Sequence, residues 1–164
     1  MGTVYLPDDL FYDYYTHQPV HGAGEWLTLP DVPYTTIPLY IRGGSIVPLR
    51  AESANTTTQL RTKDFTIVVA PGLDGSASGS LYLDDGDSLV PSSTSEIEFS
   101  YRDGVFEMSG TFGYDTNGVG ISGIALLGGE AGGGNTTTTA VKMRSVEMLD
   151  EKIPLTGGCR VTLA

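Results

Sequence analysis

Carboxylates, imidazoles and a single thiol are the groups on which this sequence could build chemistry. Two acid pairs stand out, Asp8-Asp9 and Asp84-Asp85, the second continued by Gly86-Asp87. General acid–base work needs two carboxylates converging on one bond. Neighbouring strand residues point to opposite faces, and Asp-Gly sequences favour turns, so both pairs read as turn residues. A calcium loop of the EF type needs alternating ligands and a Glu at the twelfth position, and Glu96 falls one position late. His17 and His21 lie in a Pro/Gly loop, where their spacing does not converge as it would on a helix, and no third ligand is evident. Cys159 is the only cysteine, so the chain holds no internal disulfide and no CxxC metal site. No GxSxG, HExxH, P-loop or dinucleotide fingerprint occurs, and nothing orients either histidine toward a serine. No residue is therefore assigned a catalytic role, and neither a metal nor a cofactor is expected.

The bulk numbers exclude further classes. The 164 residues carry a formal charge of −11, which argues against nucleic acid and against an anionic membrane surface as partners. Apolar residues make up 40% of the chain, enough for a packed core. No apolar run reaches membrane-spanning length. Met1 to Leu6 has neither a basic nor an apolar leader region, so a secretory signal would have to lie outside this chain. Asn55-Thr56-Thr57 and Asn135-Thr136-Thr137 are N-glycosylation sequons, at Asn55 and Asn135, each in a polar connector. They suit a secreted protein.

The elements that must position these groups are strands, because 22 Gly and 9 Pro interrupt nearly every candidate helix. Ile37 to Ile41, Gly43-Gly44 and Ile46 to Arg50 read as strand, turn and strand. Pro38 and Pro48 cannot donate to a ladder, which places both arms at sheet edges or beside bulges. Phe11 to Thr16 packs four aromatics into five positions, so both faces of that strand need cover. Asp64 to Ala70 is a buried strand by its β-branched run. Glu96 to Arg102 and Val105 to Gly110 flank Asp103-Gly104, a type I′ hairpin turn. That turn pairs Arg102 with Val105, Tyr101 with Phe106 and Phe99 with Met108. Ile97, Phe99, Tyr101, Phe106 and Met108 then share one face, which a second layer must cover. Val119 to Leu127, Val141 to Leu149, Ile153 to Leu155 and Arg160 to Leu163 supply further strands, and a mobile loop is expected from Gly128 to Thr139. The fold class is all-β, an antiparallel β-sandwich preceded by part of a smaller one. A boundary in the polar stretch Ala51 to Thr58 divides the chain into residues 1–54 and 55–164.

Four motifs occur in a set order: Phe11-Tyr12-Asp13-Tyr14-Tyr15-Thr16, Gly24-Glu25-Trp26, Ile41-Arg42-Gly43-Gly44-Ser45-Ile46-Val47-Pro48 and Leu83-Asp84-Asp85-Gly86. Together they resemble the C-terminal region of α-glucosidases of glycoside hydrolase family 31, especially secreted fungal ones. Phe11 stands where the family often has Trp, and His17 where it often has Gly. The resemblance implies a proximal sandwich ending near Ala54, with strands drawn also from before Val4, and a distal sandwich after it. It further implies a (β/α)₈ catalytic barrel as partner, with an aspartate nucleophile in a WxDMNE-like motif and a second aspartate as acid/base. Neither matches a position here, and a retaining mechanism needs its carboxylates about 5–5.5 Å apart. The expected role is a non-catalytic portion of a secreted α-glucosidase. The alternatives are a carbohydrate-binding module that stacks α-glucan or malto-oligosaccharide on Tyr14, Tyr15, Trp26 or Tyr34, and a structural secreted sandwich.

Overall fold

The computed structural model describes residues 2–128 and 147–163. Thirteen strands run in order: β1 (Gly2–Leu6), β2 (Leu10–Asp13), β3 (Pro19–His21), β4 (Glu25–Leu29), β5 (Tyr40–Arg42), β6 (Ser45–Arg50), β7 (Phe65–Ala70), β8 (Ala77–Leu83), β9 (Ser95–Arg102), β10 (Val105–Phe112), β11 (Gly120–Leu126), β12 (Glu147–Pro154) and β13 (Cys159–Thr162). They form a ribbon β1-β4, a three-stranded sheet β3-β2-β5 and an eight-stranded sheet β12-β11-β7-β6-β8-β9-β10-β13. The all-β expectation holds. One helical turn, α1 (Thr57–Leu60), departs from the strands-only reading. The Thr56 side chain starts it by accepting from the Gln59 N–H, which satisfies one donor of a terminus that has few other partners.

The β9–β10 hairpin has the register that its turn dictates. Arg102 faces Val105, Tyr101 faces Phe106, and Phe99 faces Met108. Asp103 and Gly104 both take positive φ, at 52° and 78°, as a type I′ turn requires. Burial alternates strictly along β9, so its apolar positions all face inward. The covering layer comes from the other half of the same sheet. Phe65, Ile67 and Val69 of β7, with Ile121, Ile124 and Leu126 of β11, close over Ile97, Phe99, Phe106 and Met108. Phe99 and Phe106 stack with centroids 5.7 Å apart at the centre of this core.

The halves join where β6 passes β8 in a parallel bridge confined to Ser45 and Ser78. Gly79 permits that crossing, since a Cβ there would collide with the Ile46 carbonyl oxygen. The bridge ends before Pro48, so the proline faces β7 on one side and has no β8 ladder to donate to on the other. β7 and β11 also run parallel, so the sheet is mixed, not antiparallel throughout.

Gly43-Gly44 is not a hairpin. β5 pairs with β2, whereas β6 pairs with β7 and β8, so the two arms enter different sheets. Gly44 has φ of 83°, and a Cβ on Gly43 would lie 3.0 Å from the Leu10 carbonyl oxygen and 3.1 Å from that of Pro71. The glycines let the chain step between layers where backbones crowd, a role that turn chemistry shares with a hairpin. β6 lies before residue 54 yet sits in the middle of the large sheet, so hydrogen bonding runs without a break across the 54/55 division.

A second, smaller core lies on the outer face of β7. Val68, Ala70, Ala125 and Leu127 meet Leu10 and Tyr12 of β2, with Ile41 and Leu49 beside them. Phe11 and Tyr12 are both buried, as an aromatic strand covered on both faces demands. The strand stops at Asp13, whose carboxylate accepts from the Tyr15 and Thr16 N–H groups and bends the chain away. Of the loop expected from Gly128 to Thr139 and the strand expected from Val141 to Leu149, residues 129–146 lie outside the described residues, and the strands expected to Leu149 and from Ile153 are one continuous β12. Phe106→Ala is expected to destabilise the fold by about 3–5 kcal/mol through the cavity it leaves. A urea-denaturation midpoint within error of the parent chain would contradict this placement of the core.

Candidate interaction surface

The acid pairs hold the backbone in place. Asp9 accepts the Leu10 N–H at 2.8 Å and the Arg42 Nε–H at 2.8 Å, pinning the start of β2 to the end of β5. The Arg42 hydrogen bond, then the Leu10 N–H, holds the Asp9 carboxyl below its ordinary value. Asp84 accepts the Gly86 N–H and pairs with Arg61 at 3.6 Å. Asp85 accepts from the Ser88 hydroxyl and from the N–H groups of Asp87 and Ser88, which keep its carboxyl ionised below the usual range. A general acid needs the opposite shift. Asp64, which the sequence marks only as the start of a strand, ties three elements together by accepting from the Gly120 N–H and the Lys152 ammonium, both at 2.9 Å. Burial pushes this carboxyl up, and the two donors outweigh it and bring it down.

His17 and His21 do not converge. His21 sits on β3 opposite Leu10, while His17 takes φ of 57° in the turn after β2. Among the described residues, no group of three His, Cys, Asp or Glu side chains could hold a metal ion. Cys159 is half-buried on β13, and burial pushes its thiol up, away from reactivity. Asn55 is exposed, directly before the Thr56 cap of α1. Asn135 lies outside the described residues.

The sequence-selected aromatics form no single platform. Tyr14 and Tyr15 meet edge to face at 5.3 Å, and the Tyr15 hydroxyl donates to the Ile37 carbonyl at 3.0 Å. Trp26 lies across the β1–β4 ribbon, edge-on to Tyr5 at 5.6 Å, and remains 69% exposed. What these residues share is exposure. Tyr5, Tyr15, Trp26, Leu27, Tyr34, Ile37 and Leu39 all present large apolar surface to solvent. They come from residues 5–39, whereas residues 40–163 expose only Leu73, Tyr82, Leu89 and Val90 among the described large hydrophobics. Both faces of the ribbon carry apolar groups, because Tyr5 and Trp26 face one way while Val4 and Leu27 face the other. A two-stranded ribbon is marginal in water by itself, and exposed apolar side chains in such number stand out against the rest of the surface.

A separate cleft of about 630 Å³ opens at the far end of the large sheet. Arg50, Arg61, the Asp84–Asp87 turn, Tyr82, Tyr114 and Asn117 border it. At its floor the Arg50 guanidinium lies 3.9 Å over the Phe65 ring and donates to the Lys63 carbonyl at 2.5 Å. Arg61 also donates to the Asp84 carbonyl, so it grips the first residue of the acidic turn through both its backbone and its side chain. Sequence spacing did not signal this cleft, because its walls come from three separate stretches, residues 50–65, 81–87 and 114–119, which only the fold brings together.

Residues 2–47, which carry the exposed apolar band, match the glycosyl hydrolase family 31 C-terminal domain. The sequence is 46% identical over 162 residues to a probable alpha/beta-glucosidase of Aspergillus fumigatus, covering 98% of this chain and 18% of that protein. It is 54% identical over 129 residues to the Aspergillus flavus counterpart, covering 79% of this chain and 14% of that protein. The chain belongs to glycoside hydrolase family 31, as its C-terminal region. The fold of this family 31 region matches the glucosidase II alpha subunit with a TM-score of 0.68 at 26% identity, over 79% of this chain and 15% of that one. It also matches the fold of a family 31 α-xylosidase from Xanthomonas citri with a TM-score of 0.67 at 21% identity, over 99% of this chain and 17% of that one. The chain spans less than a fifth of the length of these relatives.

In this family 31 region, Arg42→Ala is expected to raise the Asp9 titration midpoint toward the ordinary carboxylate value in NMR. The native pairing stabilises the fold above the unfolded carboxylate pKa and fades as pH falls through the depressed native value. A midpoint that does not move on substitution would show that Arg42 does not hold Asp9.

Proposed function

We propose that this chain is a non-catalytic β-sandwich portion of a secreted α-glucosidase, and that it covers and steadies a (β/α)₈ catalytic barrel. The parent enzyme would hydrolyse terminal α-glucosidic bonds with retention, using carboxylates that this chain does not supply. The observation that carries the reading is the concentration of exposed large apolar side chains in residues 5–39, with Tyr5, Trp26 and Leu27 on a ribbon too thin to stand alone. The family match over those residues, and relatives more than five times as long, supply a partner of suitable kind. Predicted inactivity rests on the motifs, since neither family aspartate matches a position here; Asp9, Asp64 and Asp85, held ionised by local donors, are also poorly suited to protonating a leaving group.

The isolated chain is expected to bind a hydrophobic dye and to associate in light scattering, and Trp26→Ser with Ile37→Ser should reduce both. A monodisperse chain that binds no dye would sink the proposal. The exposed Trp26 and Tyr34 favour one rival, a sugar-stacking module. Trp26 fluorescence in the same samples should stay constant on adding maltose, and a saturating response would favour that rival.

Secretion with glycosylation at Asn55 and Asn135 belongs to the same proposal. Asn55 is exposed at the head of a helical turn, where a transferase can reach it. Produced in a glycosylating secretory host, the chain should lose mass on endoglycosidase treatment, and Asn55→Gln should remove part of that loss. Secreted chain with no removable glycan would contradict it.

A further inference from the structure

We propose that Asn117-Gly118 is a self-modifying site, at which Asn117 converts to aspartate and isoaspartate through a cyclic imide without an enzyme. The reaction needs an asparagine whose side-chain carbonyl carbon can be attacked by the backbone nitrogen of the next residue. A side chain on that next residue obstructs the attack, and glycine has none. Of the three asparagines, Asn55 and Asn135 precede threonines, and Asn117 alone precedes glycine.

The local structure leaves the nucleophile available. Asn117 and Gly118 are both exposed. The turn is built on other groups: the Asn117 N–H donates to the Asp115 carboxylate at 2.9 Å, the Thr116 hydroxyl donates to the Val119 carbonyl at 3.0 Å, and the Val119 N–H donates to the Thr116 carbonyl at 3.1 Å. The Gly118 N–H takes no hydrogen bond among the described residues. Nothing lies within 4 Å of where a Gly118 Cβ would stand, so a closing ring meets no neighbour there. Asn117 and Gly118 hold positive φ, at 51° and 82°, a backbone conformation that glycine adopts freely and that is less common for Asn117.

The balance is simple. The Gly118 nitrogen bonds to Asn117 Cγ and gives its proton to solvent, and Nδ2 leaves as ammonia. Water then opens the five-membered imide at either carbonyl, giving aspartate or, with the chain rerouted through the side chain, isoaspartate. One water is consumed, one ammonia is released, and nothing is oxidised or reduced. The product carries a new negative charge on the rim of the cleft that Asp84, Asp85 and Asp87 already line. The isoaspartyl form also lengthens the backbone just ahead of β11.

Purified full chain held at mildly alkaline pH, followed by peptide mapping with mass spectrometry, tests this. The expected result is conversion of the Asn117 peptide into two products with the mass rise of NH₂ replaced by OH. Asn117→Asp supplies the reference for one of them. The folded chain should shift by one charge on ion exchange, and Asn55 and Asn135 should convert more slowly. Gly118→Ala should suppress conversion where it folds, and the urea-unfolded parent serves as the comparison independent of folding. Asn117 intact in the folded chain, whether or not the unfolded chain reacts, would overturn the proposal. So would conversion spread evenly over all three asparagines.

Discussion

Strand β7 has no face toward solvent, and the architecture follows from covering both of its sides. Phe65, Ile67 and Val69 project into the large core between the halves of the eight-stranded sheet. Val68 and Ala70 project the other way, into the core shared with β2. A strand apolar on both faces is stable only as an inner layer. β6 and β11 therefore flank it, the β8–β9–β10 side closes one face, and the three-stranded sheet closes the other. On the β8–β9–β10 side the layering ends at β9, whose burial alternates strictly between inward and outward positions.

That arrangement explains why residues on either side of position 54 are physically continuous. β6 pairs with β7 along its full length, and the Tyr12 hydroxyl donates to the Pro71 carbonyl at 2.9 Å just past the end of β7. The early chain is anchored to the later chain through the strand that both must bury. The β1–β4 ribbon is the exception. It contributes Leu6 to the buried set but exposes Tyr5, Trp26 and Leu27. Its apolar groups lie on both faces, and of the large ones only Leu6 is buried among the described residues.

The polar side chains serve the same frame. Asp9, Asp13, Asp64, Asp84 and Asp85 each accept from backbone N–H groups at the point where a strand ends or turns. Each stabilises a corner of the fold, and for Asp9, Asp64 and Asp85 the donors favour the ionised form, which is unsuited to proton donation. The chain's acidity thus has a structural use at these corners, and the Arg42, Arg61 and Lys152 side chains are the cations that meet it.

Local rules carried the elements that depend on near neighbours. Asp103-Gly104 and the alternation around it determined one hairpin register, because a type I′ turn and a period of two admit only that pairing. The β-branched run at β7 marked a doubly buried strand for a similar reason. Long-range geometry was not legible. Gly43-Gly44 serves a hairpin and a step between sheets equally well in sequence, and only the crowding of the Leu10 and Pro71 carbonyls selected the step. The cleft behind Asp84, the Asp64–Lys152 tie and the parallel pairing of β7 with β11 join residues tens of positions apart. Such contacts arise from how finished layers stack, and no spacing along the chain encodes which layer will lie above which.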